Sequence, residues 1–266
     1  LANLGNLIYT GASNYNGADS FTYTVQDAAL SSSTGTMTLT VAAVNDAPVN
    51  TLGTPSAVNE DTANAITGSS IADADDSSMT SVVITADRGT FTLTTSSATY
   101  DVGTQGTAAS TVTISGTVTN INVAIATITW TSAADDNTNA VITVVTNDGD
   151  TTDTDTMSIT VNAVNDTPAK AGDAAGPSED VAYSSWTAAT DWGYTDVDSD
   201  TMVSITLKSL PSQGTLTEAS SACGGTCEVD DVITLANLGN LIYTGASNYN
   251  GADSFTYTVQ DAALSS

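Results

Sequence analysis

Histidine is absent from this 266-residue chain, and only Arg88, Lys170 and Lys208 are basic against thirty acidic side chains. The formal net charge of −27 excludes nucleic acid as a partner, because no basic surface exists to displace phosphate counterions. Without histidine there is no Ser–His pairing, so the nucleophile–base arrangement of most acyl-transfer sites is not available. Aromatic residues make up 6%, and no apolar run approaches the ~18 residues of a membrane helix, so this segment holds no membrane span. There are two cysteines, in the loop Cys223-Gly-Gly-Thr-Cys227. The two glycines allow a disulfide across so short a loop, which would suit an oxidising compartment. The alternative is a reduced pair, and zinc lacks further Cys or His ligands.

What is present is repetition. LANLGNLIYTGASNYNGADSFTYTVQDAALSS runs from Leu1 to Ser32 and recurs, letter for letter, from Leu235 to Ser266. Identity over such a length marks a recently duplicated array. The chain is therefore expected to be a window on a longer repetitive protein. In a continuous array the two copies should share both fold and surroundings. A weaker repeat provides the punctuation. Val44-Asn45-Asp46-Ala47-Pro48 returns 120 residues later as Val164-Asn165-Asp166-Thr167-Pro168. Glu60-Asp61 answers Glu179-Asp180, Asp73-Ala-Asp75 answers Asp196-Val-Asp198, and Asp148 answers Asp261. Gly89-Thr-Phe-Thr answers Gly214-Thr-Leu-Thr, and Trp130 answers Tyr243. The register predicts one complete domain over 45–163. Residues 1–44 would be the C-terminal part of a second kind of domain, and 164–266 the rest of that kind without its last strand.

Local patterning is that of strands. Met37, Leu39 and Val41 alternate with threonines, as do Phe255, Tyr257 and Val259. Similar runs cover 82–85, 90–94, 111–115, 140–146, 157–161, 203–207 and 214–217. Gly, Asn, Asp and Ser clusters separate them at the spacing of an all-β sandwich rather than a βαβ fold. About seven antiparallel strands with threonine faces outward are expected in the complete domain. Only 120–129 carries a helical hint.

The acids cluster at the punctuation. Asn45, Asp46, Asn165 and Asp166 lie in linkers, and Glu60, Asp61, Glu179 and Asp180 precede or open a first strand. Asp73, Asp75, Asp196 and Asp198 belong to turns. Carboxylates two residues apart in a turn can converge on one centre, as hard oxygen ligands of Ca²⁺ do, and left without a cation they repel. The competing readings are solubility through surface charge and ordinary turn chemistry. Turn chemistry is the expected role of Asp76, Asp153 and Asp200 taken singly. An EF-hand is excluded: from Asp196 the sixth and twelfth positions are Thr201 and Leu207, not Gly and Glu.

Together the VNDxP linkers, the NED and SED entries, DWGYTDVDSD, LPSQGTLT and NYNGADSFTYTVQD resemble the cadherin-like, tandem-95 or VCBS-type repeats of large bacterial surface proteins. The likeness spans nearly all of 164–266. Residues 45–163 are similar to a sister type, with Ala134-Asp-Asp-Asn137 where NYNG would stand. The resemblance implies tandem Ig- and cadherin-like antiparallel Greek-key β-sandwiches joined end to end, with Ca²⁺ at the junctions, in exported adhesins or cell-surface filaments. It implies Asp46, Glu60, Asp73, Asp75, Asp166, Glu179, Asp196 and Asp198 as ligands. Asp148 and Asp261, near the domain ends, would be further ligands, and Asn45, Asp61, Asn165 and Asp180 would complete the metal sites.

The expected work is structural and non-enzymatic: an extracellular segment assembled head to tail, in which Thr34–Val44 of one copy completes the sheet of the next. The alternative is an adhesive module that recognises surface glycans through its loops, with Trp130, Trp186 and Trp192 either stacking on sugar or, more commonly, lying in the core.

Overall fold

The computed structural model describes residues 4–94, 97–170, 176–186, 189–219 and 222–262. Antiparallel sheets dominate, and the chain divides into two compact units, Leu1–Ala163 and Val164–Ser266.

In the first unit, the β-branched alternation of Thr111–Thr117, Ser78–Ala86 and Ala140–Asn147 builds the middle of a five-stranded sheet. Thr99–Val102 and Thr152–Ile159 form its edges. A smaller sheet sets Thr129–Thr131 between Asn64–Ala65 and Thr90–Thr92. Ile84, Ile114 and Ile142 of the larger sheet share one buried core with Phe91 and Trp130 of the smaller. Threonines mostly keep to the outward face, but Thr146 is fully buried and donates to Asn50 Oδ1 at 2.6 Å. One pairing, Val58–Asn59 with Val161–Asn162, is parallel. The strand segments number more than the seven expected, because short pairs such as Val49–Thr51 with Ser70–Ala72 carry too little periodicity to be read.

Helix α1, Val118–Ile125, starts where Thr117 Oγ1 accepts the Asn120 N–H at 3.2 Å. It ends earlier than the 120–129 hint, because Thr129 is drawn into a strand. Asn122 on this helix bonds both the N–H and the C=O of Ile71, fixing the helix to the sheet margin.

In the second unit, Met202–Leu207 lies between Val232–Thr234 and Tyr257–Asp261, and Gly214–Glu218 lies between Gly225–Thr226 and Leu241–Gly245. The core gathers Ile205, Leu207, Leu216, Leu238 and Leu241 around Trp192. Trp186, Trp192, Phe255 and Tyr257 meet edge-on or tilted, at centroid distances of 4.8–6.2 Å. Cys223 and Cys227 are joined as a disulfide.

The equivalence read between Trp130 and Tyr243 has a physical counterpart. A Cβ on Gly89 would meet the Trp130 ring at 2.8 Å, and one on Gly214 would meet the Tyr243 ring at 2.5 Å. In each unit an aromatic ring lies over a glycine at, or just before, the start of the neighbouring strand.

Strand β1 (Gly17–Gln26) and strand β2 (Ser32–Val41) pair over all ten residues as a hairpin. No residue of this hairpin belongs to the core of its unit, which among the described residues begins at Val58. The second copy has Met202–Leu207 and Gly214–Glu218 to pack against, and the first has no such neighbours among the described residues.

Candidate metal centre

Each unit carries one acidic assembly, and the two are built alike. Asn45 Nδ2 donates to the Asp46 carbonyl at 2.9 Å, and Asn165 Nδ2 donates to the Asp166 carbonyl at 3.0 Å. These side chains fold the linker so that the Asp46 N–H reaches Asp75 Oδ2, and the Asp166 N–H reaches Asp198 Oδ2, both at 2.7 Å. The D-x-D turn closes on its own first member. Asp73 Oδ1 accepts the N–H groups of Asp75 and Asp76, and Asp196 Oδ1 accepts that of Asp200. The second oxygens of Asp73 and Asp196 are buried without a hydrogen-bond partner. Buried carboxylate oxygens are costly unless paired or bound to a cation.

In the second unit, carboxylate oxygens of Asp196, Asp198 and Asp200 lie within 4.8 Å of one another. Asp261 is 3% exposed, and its Oδ2 is also buried and unpartnered. Tyr194, whose hydroxyl donates to the Asp200 carbonyl at 2.8 Å, is pushed up to about 12 by burial and then by the charges of Asp196, Asp261 and Asp200. The Asp200 carboxyl is raised by desolvation and by Asp196, Asp261 and Asp198. In the first unit Asp76 is raised likewise, by desolvation and then by Asp73, Asp148, Asp75 and Asp150. Asp148 behaves differently. Its Oδ2 accepts from Asn45 Nδ2 and Thr151 Oγ1, its Oδ1 accepts the Asp150 and Thr151 N–H groups, and the Asn45 bond foremost holds it well below the usual carboxylate range.

Of the residues picked from sequence, Asn45, Asp46, Asp73, Asp75 and Asp148 thus come together in one unit. Asn165, Asp166, Asp196, Asp198 and Asp261 are the equivalent set in the other. Asp61 and Asp180 each bridge to a distant loop. Both have positive φ (57° and 58°), and each uses Oδ1 to accept a backbone N–H across a loop, from Asp135 at 3.1 Å and from Asn248 at 2.9 Å. Those donors, Asp135 and Asn248, also have positive φ, which sets Asp135 at the position of Asn248 and shifts by one residue the register that aligned 134–137 with NYNG. Glu60 is buried beside the Val58–Asn59 strand, and Glu179 is exposed. Asp200, read from sequence as a turn residue, adds a third carboxylate beside Asp196 and Asp198, in keeping with the D-x-D-x-D spacing. All-oxygen donors, including carbonyls, with unpaired buried carboxylate oxygens fit a hard divalent cation such as Ca²⁺.

No curated protein matches the chain. Two solved structures were found, an endo-fucoidan hydrolase of glycoside hydrolase family 107 and a variant of it, at 14–15% identity and a TM-score of 0.29. Each covers 95% of this chain, whereas the chain spans 33% of their length. The bacterial Ig domain family matches residues 1–40 and 165–266, just over half of the sequence. By that match, across both copies of its repeat, the chain belongs to the bacterial Ig domain family.

Proposed function

We propose that the chain is a structural, non-enzymatic repeat segment of an exported bacterial surface protein or filament, stabilised by Ca²⁺ and joined to further copies head to tail. Membership of the bacterial Ig domain family supports a surface repeat module. Among the described residues no helix is long and apolar enough to cross a membrane. The observation that carries the calcium reading is the assembly built twice: linker Asn-Asp, a D-x-D turn locked on its first carboxylate, and one buried, unpartnered oxygen left on Asp73 and on Asp196.

In the second unit Asp196, Asp198, Asp200 and Asp261 would hold the ion, with Asn165 and Asp166 shaping the linker beside it. In the first unit Asp73, Asp75 and Asp76 take that place. A bound Ca²⁺ would neutralise these carboxylates and fix each linker to its own unit. The placement of the tryptophans favours no second reading. Trp130, Trp186 and Trp192 are all buried rather than displayed for sugar stacking.

Calorimetry with millimolar Ca²⁺ and then excess chelator tests the proposal. Ligand at a hundred times its Kd adds ~2.7 kcal/mol, so the melting temperature is expected to rise by roughly 5 °C or more. Asp196→Asn, which keeps the Oδ1 acceptor for the Asp200 N–H, should abolish the response of the second unit alone. Identical melting curves with and without the ion would reduce the acidity to solubility.

A further inference from the structure

The two acidic assemblies share one plan and differ at one oxygen. In the first unit the protein itself engages Asp148 Oδ2, which accepts from Asn45 Nδ2 at 3.0 Å and from Thr151 Oγ1 at 2.9 Å. Asn45 Nδ2 also reaches Thr151 Oγ1, at 3.1 Å. These groups close the linker onto the Asp148 loop by hydrogen bonds alone.

In the second unit Asp261 stands in the place of Asp148. It is 3% exposed, and among the described residues its Oδ2 has no partner. Neither donor is repeated there. Asn165 Nδ2 bonds the Asp166 carbonyl but, among the described residues, no carboxylate, and the register of Thr151 falls on Leu264, which has no hydroxyl. Loop N–H groups are no substitute. At Asp148, and at Asp27, the first-copy counterpart of Asp261, they go together to one oxygen and leave the other.

The turns differ in the same sense. Oxygens of Asp196, Asp198 and Asp200, all half-buried, lie within 4.8 Å of one another. Asp261 adjoins them: it pairs with Met202 across the strands, and its charge acts on both Asp200 and Tyr194. In the first unit Asp75 and Asp76 are exposed, and among the described residues Asp73, Asp75 and Asp76 do not converge so closely. The number of carboxylates and the rigidity of the site set affinity for Ca²⁺. A buried carboxylate oxygen without a donor needs a cation, and one with two donors does not.

We propose that the two sites are unequal: the second unit holds a tight Ca²⁺ site completed by Asp261, and the first a weak one in which Asn45 and Thr151 stand in for the ion at Asp148. A chain short of Ca²⁺ therefore loses the anchor of the second linker while the first stays closed. The inference rests on the calcium reading above and adds to it an order of filling.

The test follows backbone amide signals of the isotope-labelled full chain by NMR as Ca²⁺ is added after chelator treatment. Signals of 196–200 and 261 are expected to shift first, and those of 73–76 only at roughly tenfold higher Ca²⁺ or more. In calorimetric titration Asp261→Asn should weaken the tight site about tenfold or more, while Asp148→Asn leaves the Kd of the weak site unchanged. Circular dichroism checks that each variant folds, and the order of filling is read on the unaltered chain, so it decides even if a variant does not. Simultaneous filling, or the 73–76 turn filling first, overturns the inequality but leaves calcium binding in place. Equal losses from Asp261→Asn and Asp148→Asn overturn the part given to Asn45 and Thr151. No shift in either turn at millimolar Ca²⁺ overturns both readings.

Discussion

Leu1–Ser32 and Leu235–Ser266 are the same 32 residues in two settings. In the second copy Leu241 is fully buried; its counterpart Leu7 is 68% exposed. Tyr257 is 9% exposed and donates to the Trp192 carbonyl at 3.0 Å; its counterpart Tyr23 is 42% exposed. Leu235–Leu238 is an α-helical turn and Leu241–Gly245 a strand. Among the described residues of the first copy, a 3-10 turn at Leu4–Asn6 precedes β1, and residues 7–11 are in no strand. Conversely β1 runs for ten residues, whereas its counterpart Tyr257–Asp261 runs for five. Local features survive the change. Tyr9 donates to Asp19 at 2.8 Å as Tyr243 does to Asp253 at 3.0 Å, and Tyr15 and Tyr249 each bond the carbonyl three residues on. Bonds closed within about ten residues are set by the sequence itself. Which residues form helix or strand, and how far, is set by the partner strand available.

Paired substitutions sharpen that contrast, most strongly at the tyrosines. Tyr257→Ala removes a buried ring and its hydrogen bond and should cost the second unit about 3 kcal/mol or more. Tyr23→Ala should stay within about 0.5 kcal/mol. Urea unfolding followed by tryptophan fluorescence separates the units, since Trp186 and Trp192 report on one and Trp130 on the other. Next come the leucines: about 2–4 kcal/mol for Leu241→Ala against almost nothing for Leu7→Ala, by the same assay. Equal losses at Leu7 and Leu241 would mean that the first copy is packed after all.

The smallest expected effect concerns Asp253. Its carboxylate accepts from the N–H groups of Ser212, Gln213 and Ser254 and from the Tyr243 hydroxyl. Desolvation opposes ionisation, but these bonds outweigh it and hold the group below its ordinary value. A depressed carboxyl stabilises the fold above its unfolded value, and that stability is lost as pH falls through the folded one. Asp253→Asn should therefore cost about 1 kcal/mol near neutrality, allowing for solvent screening, and flatten the acid limb of the second unit's stability curve. Asp19 is lowered too, chiefly by Tyr9, yet Asp19→Asn should leave unfolding of either unit unchanged.

The strands were legible because their period-2 runs coincide with buried faces: Val112 and Ile114, or Ile142 and Val144, alternate in burial as they alternate in sequence. Two-residue pairs such as Asn64–Ala65 were not legible, since they are held by tertiary contacts rather than by patterning. At the candidate site the linker and D-x-D acids were visible as a repeated spacing. The separate work of Asp61 and Asp180 was not, because it depends on positive φ and on a loop more than sixty residues away. Asp200 lay in plain view but was read as a turn residue.

The glycines that lie beneath aromatic rings have a consequence for how such a chain finds its own partners. A Cβ on Gly35 would fall 2.6 Å from the Tyr23 ring, as one on Gly214 would from Tyr243 at 2.5 Å. A slip of two residues along the ladder would put Ser33 or Met37 where Gly35 stands, and the ring would have to leave its place over that position. Tandem units of near-identical sequence are prone to exchange strands wrongly during folding, since every copy offers every other a plausible match. A ring that lies closest over a glycine disfavours those matches sterically, at no cost in charge or hydrogen bonds. Fidelity of assembly in a repetitive protein then depends on residues that have no side chain at all.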